Sequence, residues 1–155
     1  MTGRLLVAGV GNVLRGDDGF GPAVVDRLGP LPDGVDVVET GIGGIALLQE
    51  LMAGCDGLVL VDAIDQGALP GTVFAIEPDV REAPHVADVH LANPQRVLSM
   101  AKGMGCLPER VLIVGCQPAG MDELGAGLSA AVERALPAAV ARVEHTIREW
   151  SRARV

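Results

Sequence analysis

The sequence predicts an α/β fold: a single three-layer domain with a mostly parallel, twisted five-stranded sheet and helices on both faces. Three observations carry this. Strand-like apolar runs alternate with helix-like segments through residue 62, and such alternation marks a parallel sheet with right-handed crossovers. The first run, Leu5–Gly9, is too continuously apolar for a half-exposed strand. The third and fourth strand-like runs are joined by a loop too short for a parallel crossover, so one strand must run antiparallel to its neighbour.

Each element follows in order. Strand one enters a glycine-rich loop, and Pro22 suits the first turn of a helix continued by Ala23–Leu28. "GPLPDG" (29–34) is turn chemistry. Val35–Glu39 is a second strand, Gly44–Met52 a second helix and "LVLVD" (58–62) a third strand. After "DQGALPG" (65–71), Thr72–Glu77 is the antiparallel strand. Pro78–Val89 has no clear period and must climb back across the sheet. A third helix is predicted from Pro94 to Lys102 and the last strand at Arg110–Val114. Ser129 can cap the final helix, which runs toward Trp150, with Pro137 expected to kink it.

Composition narrows the function. The 155 residues fit one domain spanning 1–155. With aromatics at 2%, the core is built from Val, Leu, Ile and Ala, which speaks against base-stacking platforms. A net charge of −8 without a Lys/Arg cluster argues against nucleic acid as a partner. Cys55, Cys106 and Cys116 have neither paired spacing nor an even count, which suggests a reducing compartment. The run Leu5–Leu14 is interrupted by glycines and followed by Arg15-Gly16-Asp17-Asp18, so it reads as a buried strand rather than a signal peptide. No stretch approaches the roughly 20 apolar residues of a membrane span. A cytoplasmic protein with no membrane partner is expected, acting as a monomer.

In open α/β sheets ligands bind beyond the carboxyl ends of the strands. Strand one delivers Asn12, Asp17 and Asp18 to that edge; strand two Glu39 and Thr40; strand three Asp62 and then Asp65; the last strand Cys116 and Gln117. His90 joins them by topology, just before a helix that descends to feed the last parallel strand. Two observations weigh against an anion-binding reading. The dinucleotide fingerprint needs a third glycine where Leu14 stands, and the Asp17–Asp18 pair would repel a diphosphate. Glu39 could still imitate a ribose-binding acid. The cation reading fits better: two carboxylates and an imidazole make a mixed O/N donor set suited to zinc, nickel or similar ions, and three protein ligands leave positions open for a substrate.

Each of these residues also has a plain structural role available. Asp17 or Asp18 can cap the following helix. Asp62 ends an apolar strand and needs a charge, a metal or a cap to offset its burial. His90 could be structural, His85 and His145 read as solvated, and Glu39 and Asp65 could be solvated loop acids. Cys116 reads as a small buried residue.

Four blocks carry a resemblance to a known family: "GVGNVLRGDDGFGPAVVDRL" (9–28), "LVLVDAIDQGALPGTVFAIE" (58–77), "DVHLANPQRVL" (88–98) and "VGCQPAGMDELGAGLSAAV" (114–132). The chain resembles the hydrogenase maturation endopeptidases over nearly its whole length. The resemblance implies an aspartic-type endopeptidase that removes a short C-terminal peptide from the [NiFe]-hydrogenase large-subunit precursor after nickel insertion. It places the metal-contacting and catalytic positions on Asp18, Asp62 and His90, and it implies that the nickel belongs to the substrate rather than being a permanent cofactor. There are two departures, the first of which bears on substrate recognition. "ETGIGG" (39–44) stands where many members carry D-G-G-T or D-x-G-T, and Asp88 stands where Ser or Thr is common. The mechanism expected is polarisation of the scissile carbonyl by the metal, with Asp18 or Asp17 activating water. Two other readings compete: a non-catalytic, nickel-dependent checkpoint that only binds the precursor, and a Rossmann-like nucleotide-binding domain.

Overall fold

The computed structural model describes residues 3–81, 94–121, 125 and 127–153. Five strands form one sheet: β1 (Leu5–Val10), β2 (Val35–Gly41), β3 (Gly57–Ala63), β4 (Val73–Ile76) and β5 (Arg110–Cys116), in the order β2-β1-β3-β5-β4. The β1–β2, β1–β3 and β3–β5 pairs are parallel, and β4 pairs antiparallel with β5. The antiparallel strand therefore falls where expected in the chain, but its neighbour is the last strand, which inserts between β3 and β4.

The period-2 alternation of the central strands sorts their side chains into two cores. Leu5 and Val7 of β1, Val59 and Val61 of β3, and Leu112 and Val114 of β5 pack with Phe20, Val24, Leu136, Val143 and Ile147. These last come from α1 (Phe20–Asp26) and α4 (Ala130–Ala153). Leu6, Ala8, Leu58, Leu60 and Ile113 face the other way, onto Leu47, Leu51, Val97, Leu98 and Ala101, from α2 (Gly44–Met52) and α3 (Pro94–Gly103). β1, and β3 as far as Val61, are apolar because both of their faces are covered. Helix α4 runs unbroken through Pro137.

Close packing at the start of the chain depends on glycine. A Cβ on Gly21 would lie 2.5 Å from the carbonyl oxygen of Val61 and overlap that of Val10. Helix α1 thus lies directly against the ends of β1 and β3, and the glycines of this segment serve helix–strand contact. Gly21→Ala is expected to cost about 3 kcal/mol, lowering the melting temperature by roughly 6–12 °C in a calorimetric comparison with the parent chain.

Candidate functional site

The chain order reverses between β1 and β3. From β1 it steps outward to β2, then returns to the other side of β1 as β3. Ligand crevices of doubly wound sheets open at such a point, and a cavity of about 580 Å³ lies there. Its lining includes Gly11, Asn12 and Asp18 from the loop after β1, Asp62 from the end of β3, and Asp65 just beyond. Pro94 and Gln95 at the start of α3 and Met121 complete the polar and apolar walls, and Arg15 is the one basic residue among the described lining residues. Asp18 and Asp62, far apart in sequence, meet in one cavity as the topology predicts. His90, the third predicted member, lies outside the described residues, as do His85 and Asp88. Among the described residues no group of three His, Cys, Asp or Glu side chains is arranged to hold a metal ion; Asp18 and Asp62 offer two ligands.

The loop after β1 is not arranged to receive an anion. Its amides are engaged by the protein itself: Gly11 N–H donates to the Gly41 carbonyl at 3.1 Å and Arg15 N–H to that of Asn12 at 3.1 Å. Asp18 N–H donates to the Arg15 carbonyl at 3.1 Å. Leu14 N–H donates to Asn12 Oδ1 at 2.9 Å, an Asx turn. Most telling, Asn12 N–H donates to Asp18 Oδ2 at 2.9 Å. A carboxylate of the chain holds the amide that a phosphate would need, so the loop presents negative charge.

Asp17 and Asp18 are neighbours with different work. Asp17 is 1% exposed and does not line the cavity. Its Oδ1 accepts Ser129 N–H at 2.7 Å, and its Oδ2 accepts Ala119 N–H at 2.7 Å, Gly120 N–H at 3.2 Å and Ser129 Oγ–H at 2.9 Å. Burial alone would raise its pKa, but the bonds from Ser129, Ala119 and Gly120 outweigh it and hold the carboxyl below its ordinary value. With both oxygens committed, Asp17 fixes the 119–120 loop and the start of α4; it is not available to activate water. Ser129 serves as the predicted cap, its Oγ accepting Val132 N–H at 3.4 Å.

Asp62 is in the opposite state. It is 9% exposed. Burial pushes its carboxyl up to about 8, the Asp18 carboxylate adds to the rise, and the Ala63 N–H opposes it. Two acids set together in a partly desolvated cavity cannot both ionise freely; a cation between them would relieve the conflict. That is the chemistry the arrangement offers.

The remaining candidates separate cleanly. Glu39 is exposed and lines a shallower groove beside Val13, Pro22 and Ile42 rather than the acidic cavity. His145 is exposed and pairs with Glu149 at 3.3 Å. Cys116 is buried, and burial lifts its thiol to about 11, which removes it as a nucleophile at neutral pH. Asp65 is more than a solvated loop acid: Gln117 Nε2 donates to its Oδ1 at 2.9 Å. Sequence reading brought Gln117 to this edge without a task; its place directly after the last central strand was the available signal.

An acidic crevice at the switch point of a doubly wound sheet, its loop amides already occupied, belongs to an α/β protein that is not built to bind a dinucleotide. The family model described as "Hydrogenase maturation protease" matches residues 23–146. The chain is 37% identical to the hydrogenase expression/formation protein HupD of Rhizobium leguminosarum bv. viciae, over 95% of this chain and 75% of that protein. Its fold matches the hydrogenase maturating endopeptidase HybD from E. coli with a TM-score of 0.80 and 32% identity, covering 94% of this chain and 93% of that one. It also matches a hydrogenase 2 maturation peptidase from a Thaumarchaeota archaeon, with a TM-score of 0.69 and 34% identity over 92% and 97% of the two chains. This chain belongs to the hydrogenase maturation protease family, peptide-bond hydrolases of hydrogenase maturation.

Proposed function

We propose that this protein removes the C-terminal extension of a [NiFe]-hydrogenase large-subunit precursor once nickel has been inserted. Asp18, Asp62 and His90 engage the nickel that the precursor brings and so draw the scissile bond into the crevice. The observation that carries this reading is the meeting of Asp18 and Asp62 in one cavity, where burial and the Asp18 carboxylate push Asp62 toward protonation. Pro94 and Gln95, four and five residues beyond His90, line the same cavity. Asp18, anchored by Asn12 N–H through one oxygen, is the carboxylate left to orient or deprotonate a water, since Asp17 is fully engaged. Val13, Leu14 and Ile42, 60%, 63% and 60% exposed, give the surface around the mouth an apolar character suited to docking a protein partner. No helix among the described residues is long and apolar enough to cross a membrane.

Mixing the pure protein with nickel-loaded and nickel-free precursor, then weighing the products, tests the reading. The loaded precursor should lose its C-terminal peptide, the nickel-free one should remain whole, and His90→Ala should abolish the cut. Equal cleavage of both precursors would remove nickel recognition. A stable complex without loss of mass would mark the protein as a checkpoint rather than an enzyme.

A further inference from the structure

Asp65 lies three residues past Asp62, outside β3, and lines the same cavity. Its Oδ1 accepts hydrogen bonds from Gln117 Nε2 at 2.9 Å and from Gly67 N–H at 3.1 Å. Among the described residues its Oδ2 has no hydrogen-bond partner. Gln117 itself is 5% exposed. Its Oε1 accepts Gln66 N–H at 2.7 Å and Ala68 N–H at 3.2 Å, and its Nε2 also donates to the Pro118 carbonyl at 3.3 Å. A primary amide has two donors and two acceptor lone pairs, and here all are used. The Gln117 backbone adds to this: its N–H donates to Thr72 O, and its carbonyl accepts Gly71 N–H, both at 2.9 Å.

Closing the 65–72 loop could be left to those backbone bonds. What the buried side chain adds is the aim of one carboxylate: with Oδ1 held from two directions, Asp65 is fixed at the cavity wall with its other oxygen available. A Glu at 117 could not donate to Asp65 and would face it with like charge, and an apolar residue would leave the Gln66 and Ala68 amides without their acceptor.

Building on the maturation-protease reading, the geometry points to Asp65 as a substrate-binding carboxylate, positioned by the buried amide of Gln117, that meets a positively charged group of the precursor. The positive charge expected is a basic side chain next to the cleavage site, because Asp18, Asp62 and Asp65 are not arranged as a three-ligand set; contact with the metal is the other outcome that the test separates.

Asp65→Asn isolates the charge, because an amide oxygen can still accept from Gln117 and Gly67. Against nickel-loaded precursor it should raise KM about tenfold or more while kcat changes less, with the melting temperature nearly unmoved. If the rise in KM disappears when one basic residue flanking the cut is replaced by Gln in the precursor, that side chain is the contact; if it persists for every such precursor, the metal is. Gln117→Leu should raise KM in the same way and also lower the melting temperature. An unchanged KM in Asp65→Asn overturns the assignment of Asp65. Loss of stability with unchanged KM in Gln117→Leu leaves the amide a merely structural role and overturns the positioning. Failure of the parent protein to cut nickel-loaded precursor would instead defeat the underlying function, so the two failures are distinct.

Discussion

Asp62→Asn is expected to abolish processing and, at the same time, to make the metal-free protein more stable at neutral pH. Asp62 has an ordinary carboxyl pKa near 3.8, raised in the folded protein to about 8 by burial and by Asp18. Below both values the group is protonated in either state and costs nothing. Between them the unfolded chain gives up its proton while the folded chain keeps it, so folding becomes less favourable as pH rises toward 8, where the penalty levels off. Full linkage would give about 4 kcal/mol at pH 7, and relaxation with water entry reduces this to about 2 kcal/mol. An amide carries no such penalty, so the melting temperature of Asp62→Asn should exceed the parent's by roughly 4–8 °C at pH 7.5 and match it near pH 4. On the proposed role of Asp62 toward the precursor's nickel, processing should fall by more than about a hundredfold, since substitutions merely behind a metal ligand cost roughly 10–100-fold. A variant no more stable than the parent at pH 7.5, or one that still cuts, would contradict this account of the cavity.

Such trade-offs explain which parts of the site were legible in the sequence. β3 is apolar from Leu58 to Val61 and reaches Asp62 one residue before its end. A carboxylate at the end of a buried strand announces a partner, because the strand pattern fixes where it emerges and desolvation makes an idle acid costly. The two helical layers were legible for a related reason: side-chain alternation in β1, β3 and β5 and the spacing of Leu47, Leu51, Val97 and Ala101 are properties of local sequence. What could not be read was any relation made by contacts across the fold. Asp17 and Asp18 are chemically alike and adjacent, and only the distant Ala119, Gly120 and Ser129 distinguish them. The same holds for Asp65, which looks like a loop acid until Gln117, 52 residues away, is seen to hold it. The placement of β4 beside β5 belongs here too. A short loop dictates that a strand turns back, but a later strand can still slip between the two.

Asp17→Ala should be the most destabilising single change in the loop after β1, and its effect should fall on the fold rather than on the chemistry. The carboxylate is 1% exposed and receives three backbone amides and a hydroxyl from two other segments. Hydrogen bonds to a charged acceptor are stronger than neutral ones, and removing the acceptor leaves the amides of Ala119, Gly120 and Ser129 without it. A loss of about 3–5 kcal/mol is expected, seen as a fall of roughly 6–20 °C in melting temperature; Asp17→Asn, which keeps one acceptor oxygen, should lose about half as much. Because the folded pKa lies below the ordinary 3.8, the carboxylate's contribution is present above that value and vanishes as pH falls through the folded pKa. The gap between parent and Asp17→Ala should therefore stay constant from pH 5 to pH 8 and narrow toward pH 3, the reverse of the Asp62→Asn profile. Asp62 and Asp17 would thereby be told apart by the sign of their pH dependence: one sits in the cavity at a cost to the fold, and the other ties down the segments around it. A fall of less than about 3 °C for Asp17→Ala, or a gap that widens in acid, would mean that the clamp on α4 and the 119–120 loop does not depend on this carboxylate.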